Sequence, residues 1–355
     1  MKPWRWGWAV CAAAGLGMAP AHAAGAATEG LGFSHHDWEL ACDNTRACKA
    51  AGYQPDGDEP AVSLLLTRKA GPRQPVTAQL MLGEYGDPDP ALAKWPSPLK
   101  PVLRVNGQAH GVVSVDKTSR TGELSPRQVL AVLGVLPKTA RIELTLGDQV
   151  WRLSDRGAAA VLLKMDEFQG RLGTPGALVK PGTQSEDSVP AQRPMPVVHT
   201  TRLAKPQPGD DRFVARQGKA LLAALRQTVK ADDCPHLVGP EAEPGEWAAV
   251  RLTPTRMLVS GTCWMAAYNA GLGFWMVNTQ PPYEPVLVTT NGTDRVENTI
   301  LAQHKSRGLG DCLSQDEWTW TASGYVHTRS ATTGLCRLVS PGGPWDLPTR
   351  VTDVR

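Results

Sequence analysis

Apolar and polar positions alternate with period two along much of this chain, the spacing of strands with one face turned to a core. Trp38, Leu40 and Cys42 alternate with Glu39 and Ala41, which reads as a half-buried strand. Asp43-Asn44-Thr45 then turns the chain so that Cys48 returns opposite Cys42. Further strands are expected at Ala61–Thr67, Val76–Leu82, Val102–Val105, Gly111–Val115, Ile142–Leu146 and Val150–Leu153. Two segments switch to helical spacing. Ser125 as N-cap with Pro126 at the first helical position opens a helix that carries Val129, Leu130, Val132 and Leu133 and stops at Gly134. A second starts at Asp155 or Gly157 and runs through Ala158–Phe168.

After residue 208 the pattern restarts with a helix. Val214, Leu221, Leu222, Leu225 and Val229 form one apolar stripe at three- and four-residue spacing, ending before Cys234. Short strands follow at Ala248–Leu252, Met257–Cys263, Phe274–Val277, Pro285–Thr290, Thr299–His304, Glu317–Thr321, Tyr325–Thr328 and Leu335–Val339. The fold class is therefore mainly β with a few helices (α+β): two antiparallel β-rich domains, stapled by disulfides. Residues 30–172 form the first and residues 209–355 the second. Between them, residues 173–208 hold seven prolines and almost no periodic apolar pattern, the composition of an extended linker.

The N-terminus is built for export. Lys2 and Arg5 precede an apolar, alanine-rich stretch, and Ala21-His22-Ala23 is a small-x-small cleavage site, so residues 1–23 read as a signal peptide. A lipid anchor on Cys11 is disfavoured because Trp8 stands where such a motif carries Leu or Val. No later segment has the ~20 apolar residues that would cross a bilayer. Cleavage removes two of the 37 Lys and Arg residues and none of the 34 acids, which leaves a net charge of +1. That balance argues against a nucleic acid as partner. Six cysteines remain: Cys42, Cys48, Cys234, Cys263, Cys312 and Cys336. An even number in an oxidising compartment reads as three bridges, and the intervening linker favours the pairs Cys42–Cys48, Cys234–Cys263 and Cys312–Cys336.

Candidate chemistry is sparse. His35-His36-Asp37 suggests a metal site, yet adjacent residues on a strand face opposite ways and helical histidine spacing is absent, so no metal and no cofactor is expected. There is no Cys-x-x-Cys and no Gly-x-Ser-x-Gly elbow. Gly308-Leu309-Gly310-Asp311-Cys312, preceded by Lys305 and Arg307, is the best polar loop, although its glycines also suit a tight turn that sets Cys312 for pairing. Trp264, Tyr268 and Asn269 combine aromatic faces with an amide, and Lys305 and Arg307 add cations, a mixture suited to a binding surface. His304, Asp311 and His327 are the least implausible acid–base group.

Asp37-Trp38-Glu39-Leu40-Ala41-Cys42, Cys263-Trp264 with Ala267-Tyr268-Asn269, Arg307-Gly308-Leu309-Gly310-Asp311-Cys312, Trp318-Thr319-Trp320, and Cys336-Arg337 with Gly342-Gly343-Pro344-Trp345 together resemble the bacterial domain-of-unknown-function family 1176, exported proteins with six cysteines. Ser306 stands where that family would have glycine. The first half resembles, more weakly, the invasion-associated locus B family. Neither resemblance implies a reaction. The sequence thus points to a periplasmic, non-enzymatic binding module for an envelope protein, a glycan or a toxin-like partner, with a hydrolase of a cell-envelope polymer as the alternative.

Overall fold

A computed structural model describes residues 30–86, 90–239 and 246–355; the signal peptide and Cys11 lie outside the described residues. In the first half, Leu31–His35, Trp38–Cys42, Cys48–Tyr53, Val62–Arg68 and Val76–Leu82 form an antiparallel meander, with Thr121–Glu123 added at its edge. A second sheet takes Gln149–Leu153, Ile142–Leu146, Val102–Val105 and Gln108–Val112 in that order. Trp38, Leu64 and Leu66 from one sheet and Leu103, Leu144 and Trp151 from the other fill a shared core, closed by helices Pro126–Leu133 and Ala158–Phe168. Ser125 and Gln128 complete a reciprocal capping box at the first helix. Gly52 is required opposite Trp38, because a Cβ there would lie 2.3 Å from the indole ring.

The strand Trp38–Cys42 departs from expectation in one respect: all five residues are buried, Glu39 and Ala41 included. The reason is the second half of the chain. Val339, Trp345 and Leu347 pack onto Ala41, Ala51, Tyr53 and Leu65, covering the face of the first sheet that the alternation assigns to water. Trp345 Nε1 donates to Ser63 Oγ at 2.7 Å inside this contact. Glu39 accepts from the Tyr53 hydroxyl and from the Leu335 amide, each at 2.6 Å. Burial pushes the Glu39 carboxyl up, partly offset by those two donors.

The second half has two antiparallel sheets. Trp247–Arg251, Arg256–Met265, Ala270–Asn278 and Val286–Gly292 form one; Asp294–Val296, Thr299–Lys305, Leu313–Thr321, Gly324–Thr332 and Leu347–Arg350 form the other. Helix Phe213–Arg226 lays Phe213, Val214, Leu221 and Leu225 against Met257, Val259 and Trp275, beside the Cys234–Cys263 bridge. The other bridges join Cys42 to Cys48 and Cys312 to Cys336. Leu335–Val339, expected as a strand, is an irregular segment, and the last long strand is Leu347–Arg350 instead. Three of its backbone bonds go to side chains, Leu335 to Glu39, Arg337 to Gln54 and Leu338 to Asp311, and the Val339 carbonyl accepts from the Glu84 amide. Leu338 also takes a φ of 53°.

Residues 173–208 run along both halves and are tied at intervals. Glu186 accepts from the amides of Gly176 and Arg73 at 2.7 and 3.1 Å. Val197–Val198 pairs with Asp353–Val354, and Ala204 donates to the Leu252 carbonyl. The Thr174 hydroxyl beside Glu186, opposed by burial and aided by those amides and by Arg171, holds its carboxyl down at about 2. A folded pKa below the unfolded 4.5 contributes stability that is complete above pH 4.5 and is lost as pH falls toward 2. Peptic cleavage within residues 173–189 is therefore expected to accelerate over that window. Thermolysin at neutral pH should cut the same stretch in Glu186→Gln but not in the parent protein; equal cutting would show that Glu186 does not hold it.

Candidate functional site

The hairpin of Arg256–Met265 and Ala270–Asn278 reaches its tip at residues 266–269. Asn269 joins that tip to the end of strand Thr299–Lys305. Its Nδ2 donates to the Lys305 carbonyl at 2.9 Å, and its Oδ1 accepts from the Lys305 amide at 3.0 Å. The amide side chain thereby acts as a rung of sheet, with one N–H and one lone pair committed to Lys305. The Tyr268 ring lies against Gly308, where a Cβ would come 3.5 Å from it. Tyr268 is 47% exposed, Met265 68% and Leu309 56%, so the tip and the facing loop present an apolar rim with the Lys305 chain beside it.

Trp264 is a structural member of this group. Its Nε1 donates to the Thr290 carbonyl and to Asn291 Oδ1 at 3.1 and 3.0 Å, and its ring lies 5.2 Å from that of His304. His304 Nε2 in turn meets the Asn291 carbonyl at 2.8 Å. Arg307 turns away from the rim: Nε and Nη2 form a fork on Asp311 at 2.7 and 2.5 Å. Asp311 is fully buried, and its Oδ2 also accepts from the Leu338 amide at 2.8 Å. Burial pushes the Asp311 carboxyl up, but the Arg307 fork and the amide outweigh it and hold the group below its ordinary value. Such a carboxylate anchors the loop and is poorly suited to donating a proton.

His327 pairs with Asp316 at 2.8 Å and stacks on Trp318 with ring centres 4.9 Å apart. His304 lies opposite Ser314 and His327 opposite Trp318 on the same strand, so the imidazoles are on the order of 13 Å apart along it at ~3.3 Å per residue. The structure does not bring His304, Asp311 and His327 into one acid–base group. Asp311 does approach Cys312 and Cys336, but both sulfurs are in a disulfide, leaving one carboxylate oxygen as a donor to any ion.

Spacing could not show the cleft of about 340 Å³ beside the rim, where the two halves meet. Asp56, Asp58, Glu59 and Tyr85 line it from the first half, Arg307 and Arg337 from the second. The Tyr85 hydroxyl donates to the Leu309 carbonyl and so joins cleft to rim. Arg337 Nη2 bonds Asp37 at 2.8 Å, and Nη1 lies 2.5 Å from Asp56. Asp37 is buried and also accepts from Ser154 Oγ at 2.6 Å. Asp37 and Arg337 both fall in the segments that carry the family resemblance, but 300 residues separate them and no local pattern links the two.

No solved structure matches the chain significantly. It is 25% identical over 326 residues to the uncharacterized protein YpfG of Escherichia coli (strain K12), covering 84% of this chain and 87% of that protein. The likeness of the first half to the invasion-associated locus B family stays an expectation of the sequence. The family described as protein of unknown function (DUF1176) matches residues 32–352, nearly all of the described chain, and the protein belongs to that family.

Proposed function

We propose that this is an exported binding protein, working in the periplasm, that recognises another protein through the rim of Met265, Tyr268 and Leu309 with Lys305. The halves 30–172 and 209–355 act as domains that carry the rim and the cleft between them. Three disulfides suit an oxidising compartment. Among the described residues no helix is long and apolar enough to cross a membrane.

The observation that carries the reading is the contrast between what is exposed and what is occupied. Large apolar side chains stand in water at the rim, while the polar groups around them are already bonded: Asn269 to Lys305, Arg307 to Asp311, His304 to Asn291. A sugar site needs several convergent amides and acids to bond hydroxyls, and here the Asp311 carboxylate is committed to Arg307 and Leu338 and the Asn269 amide is tied to Lys305. Exposed aliphatic and aromatic area beside Lys305, whose ammonium forms no ion pair among the described residues, suits a protein surface. The hydrolase reading gains nothing from this geometry, since its three side chains sit in separate pairs.

Tyr268→Ala is expected to weaken capture of the envelope partner by about 2 kcal/mol, roughly 30-fold in Kd, because a half-exposed aromatic anchor is lost. The melting temperature should be nearly unchanged. Lys305→Ala should slow association with less effect on the complex once formed. Capture unchanged in Tyr268→Ala, or a glycan that elutes the bound material, would overturn the reading.

A further inference from the structure

We propose that the cleft between the two halves binds the free α-carboxylate at the C-terminus of a partner polypeptide, and that Asp56 is the resident stand-in for it. Arg337 is immobilised from behind. Asp37 holds Nη2, Gln54 holds its carbonyl at 2.8 Å, and the preceding residue is bridged to Cys312. Its side chain is only 10% exposed and its Nη1 is buried without a well-aligned hydrogen bond, yet the ion-pair partner of Nη1 is Asp56, whose side chain is 83% exposed. A buried guanidinium is thus answered by a carboxylate that stands almost wholly in water. Asp56 precedes Gly57, with a φ of 82°, on a turn at the mouth of the cleft. Asp56 itself is readily hydrated when it turns into solvent, and the incoming carboxylate takes its place on the guanidinium, so that charge is not left buried and unpaired.

A second guanidinium faces the same space. Arg307 spends Nε and Nη2 on Asp311, which leaves Nη1 free toward the cleft. Asp311 Oδ2 accepts from both Arg307 and the Leu338 amide, which fixes the Arg307 head beside the Arg337–Leu338 backbone. One carboxylate has two oxygens and can take a donor from each arginine. The volume of about 340 Å³ suits a small group or a chain terminus.

Charge selects the ligand. Exchanging the Asp56 carboxylate for another leaves the charge on the arginines unchanged. Asp58 and Glu59, which form no ion pair among the described residues, repel a dianion such as phosphate and favour a basic residue just before the terminus. The Tyr85–Leu309 contact leads from the cleft to the apolar rim, where an adjoining side chain of the same polypeptide would lie. The inference rests on the reading of the protein as a receptor for another protein, but its test needs no natural partner.

The test is calorimetric titration of the mature protein with acetyl-Leu-Lys-Leu carrying a free C-terminal carboxylate, and with its amide. The free acid should bind saturably and the amide at least tenfold more weakly. Asp56→Asn should tighten the acid about tenfold, the factor lost to a competitor seated roughly nine-tenths of the time. Arg307→Lys should weaken it about tenfold and also lower the melting temperature, because it breaks the fork on buried Asp311, so Asp56→Asn, which leaves that fork intact, is the deciding variant. Absence of binding, equal binding of acid and amide, displacement by inorganic phosphate at equal concentration, or no gain in Asp56→Asn would each overturn the proposal. If the peptide fails while Tyr268→Ala still loses the envelope partner, the inference falls and the receptor reading stands.

Discussion

Removing the Cys312–Cys336 bridge by the paired change Cys312→Ala and Cys336→Ala is expected to lower the unfolding free energy by about 3.5 kcal/mol. The closed loop spans 24 residues, and releasing it restores that much chain entropy to the unfolded state by the loop-length relation. The six-residue loop of Cys42–Cys48 gives about 2.2 kcal/mol by the same relation, so the two bridges should separate clearly in denaturant midpoint. The longer one has a further consequence. It ties the loop that carries Arg307 and Asp311 to the segment that carries Arg337, and Asp311 closes the same connection through the Leu338 amide. The paired variant should therefore lose peptide binding in the cleft at denaturant concentrations where both sheets are still folded. A midpoint loss no larger than that of the Cys42–Cys48 pair would sink the argument.

What the sequence made legible is what local chemistry decides. The capping box at Ser125 fixes its helix, and period-two runs place Val76–Leu82, Val102–Val105 and Ile142–Leu146 without reference to the rest of the chain. Local pattern fails where distant parts meet. Ala41 reads as a solvent position until Val339, Trp345 and Leu347 arrive from some 300 residues away. Leu335–Val339 has the composition of a strand, but Glu39, Gln54 and Asp311 bond three of its backbone groups. The site divides in the same way. Tyr268, Asn269 and Lys305 do come together, because they sit at the ends of neighbouring hairpins. Trp264 has the residue type of a binding surface and is instead held by Thr290 and Asn291, while Arg307 leaves the rim for Asp311 and the cleft. The acids and arginines of the cleft are unremarkable singly, and only their meeting across the two halves gives them a role.

Arg171 shows how much stability such unseen pairing can hold. It sits just after helix Ala158–Phe168, in sequence an ordinary cation before the proline-rich stretch, yet it is fully buried. Nε donates to Gln169 Oε1 at 2.9 Å, and Nη2 donates to the carbonyls of Lys69 and Gly71 at 3.2 and 2.6 Å. Glu186 lies 3.6 Å from Nη1. Asp166 is buried nearby with Arg68, and its other oxygen accepts from the amides of Leu178 and Val179. Arg171→Ala leaves the Gln169 oxygen and two carbonyls without donors and removes one of the cations facing Asp166. It is expected to cost about 3–5 kcal/mol, the usual result of breaking a buried ionic network from one side. Arg171→Lys should recover less than half, since an ammonium cannot reproduce the planar fork that reaches Gln169 and both carbonyls. Arg73→Ala is the control. It breaks an ion pair with Asp187 whose members are 68% and 70% exposed, and should cost less than ~1 kcal/mol. Denaturant midpoints for the three variants decide the matter: a cost for Arg171→Ala as small as that for Arg73→Ala would mean that the network does not hold residues 173–189 to the first sheet.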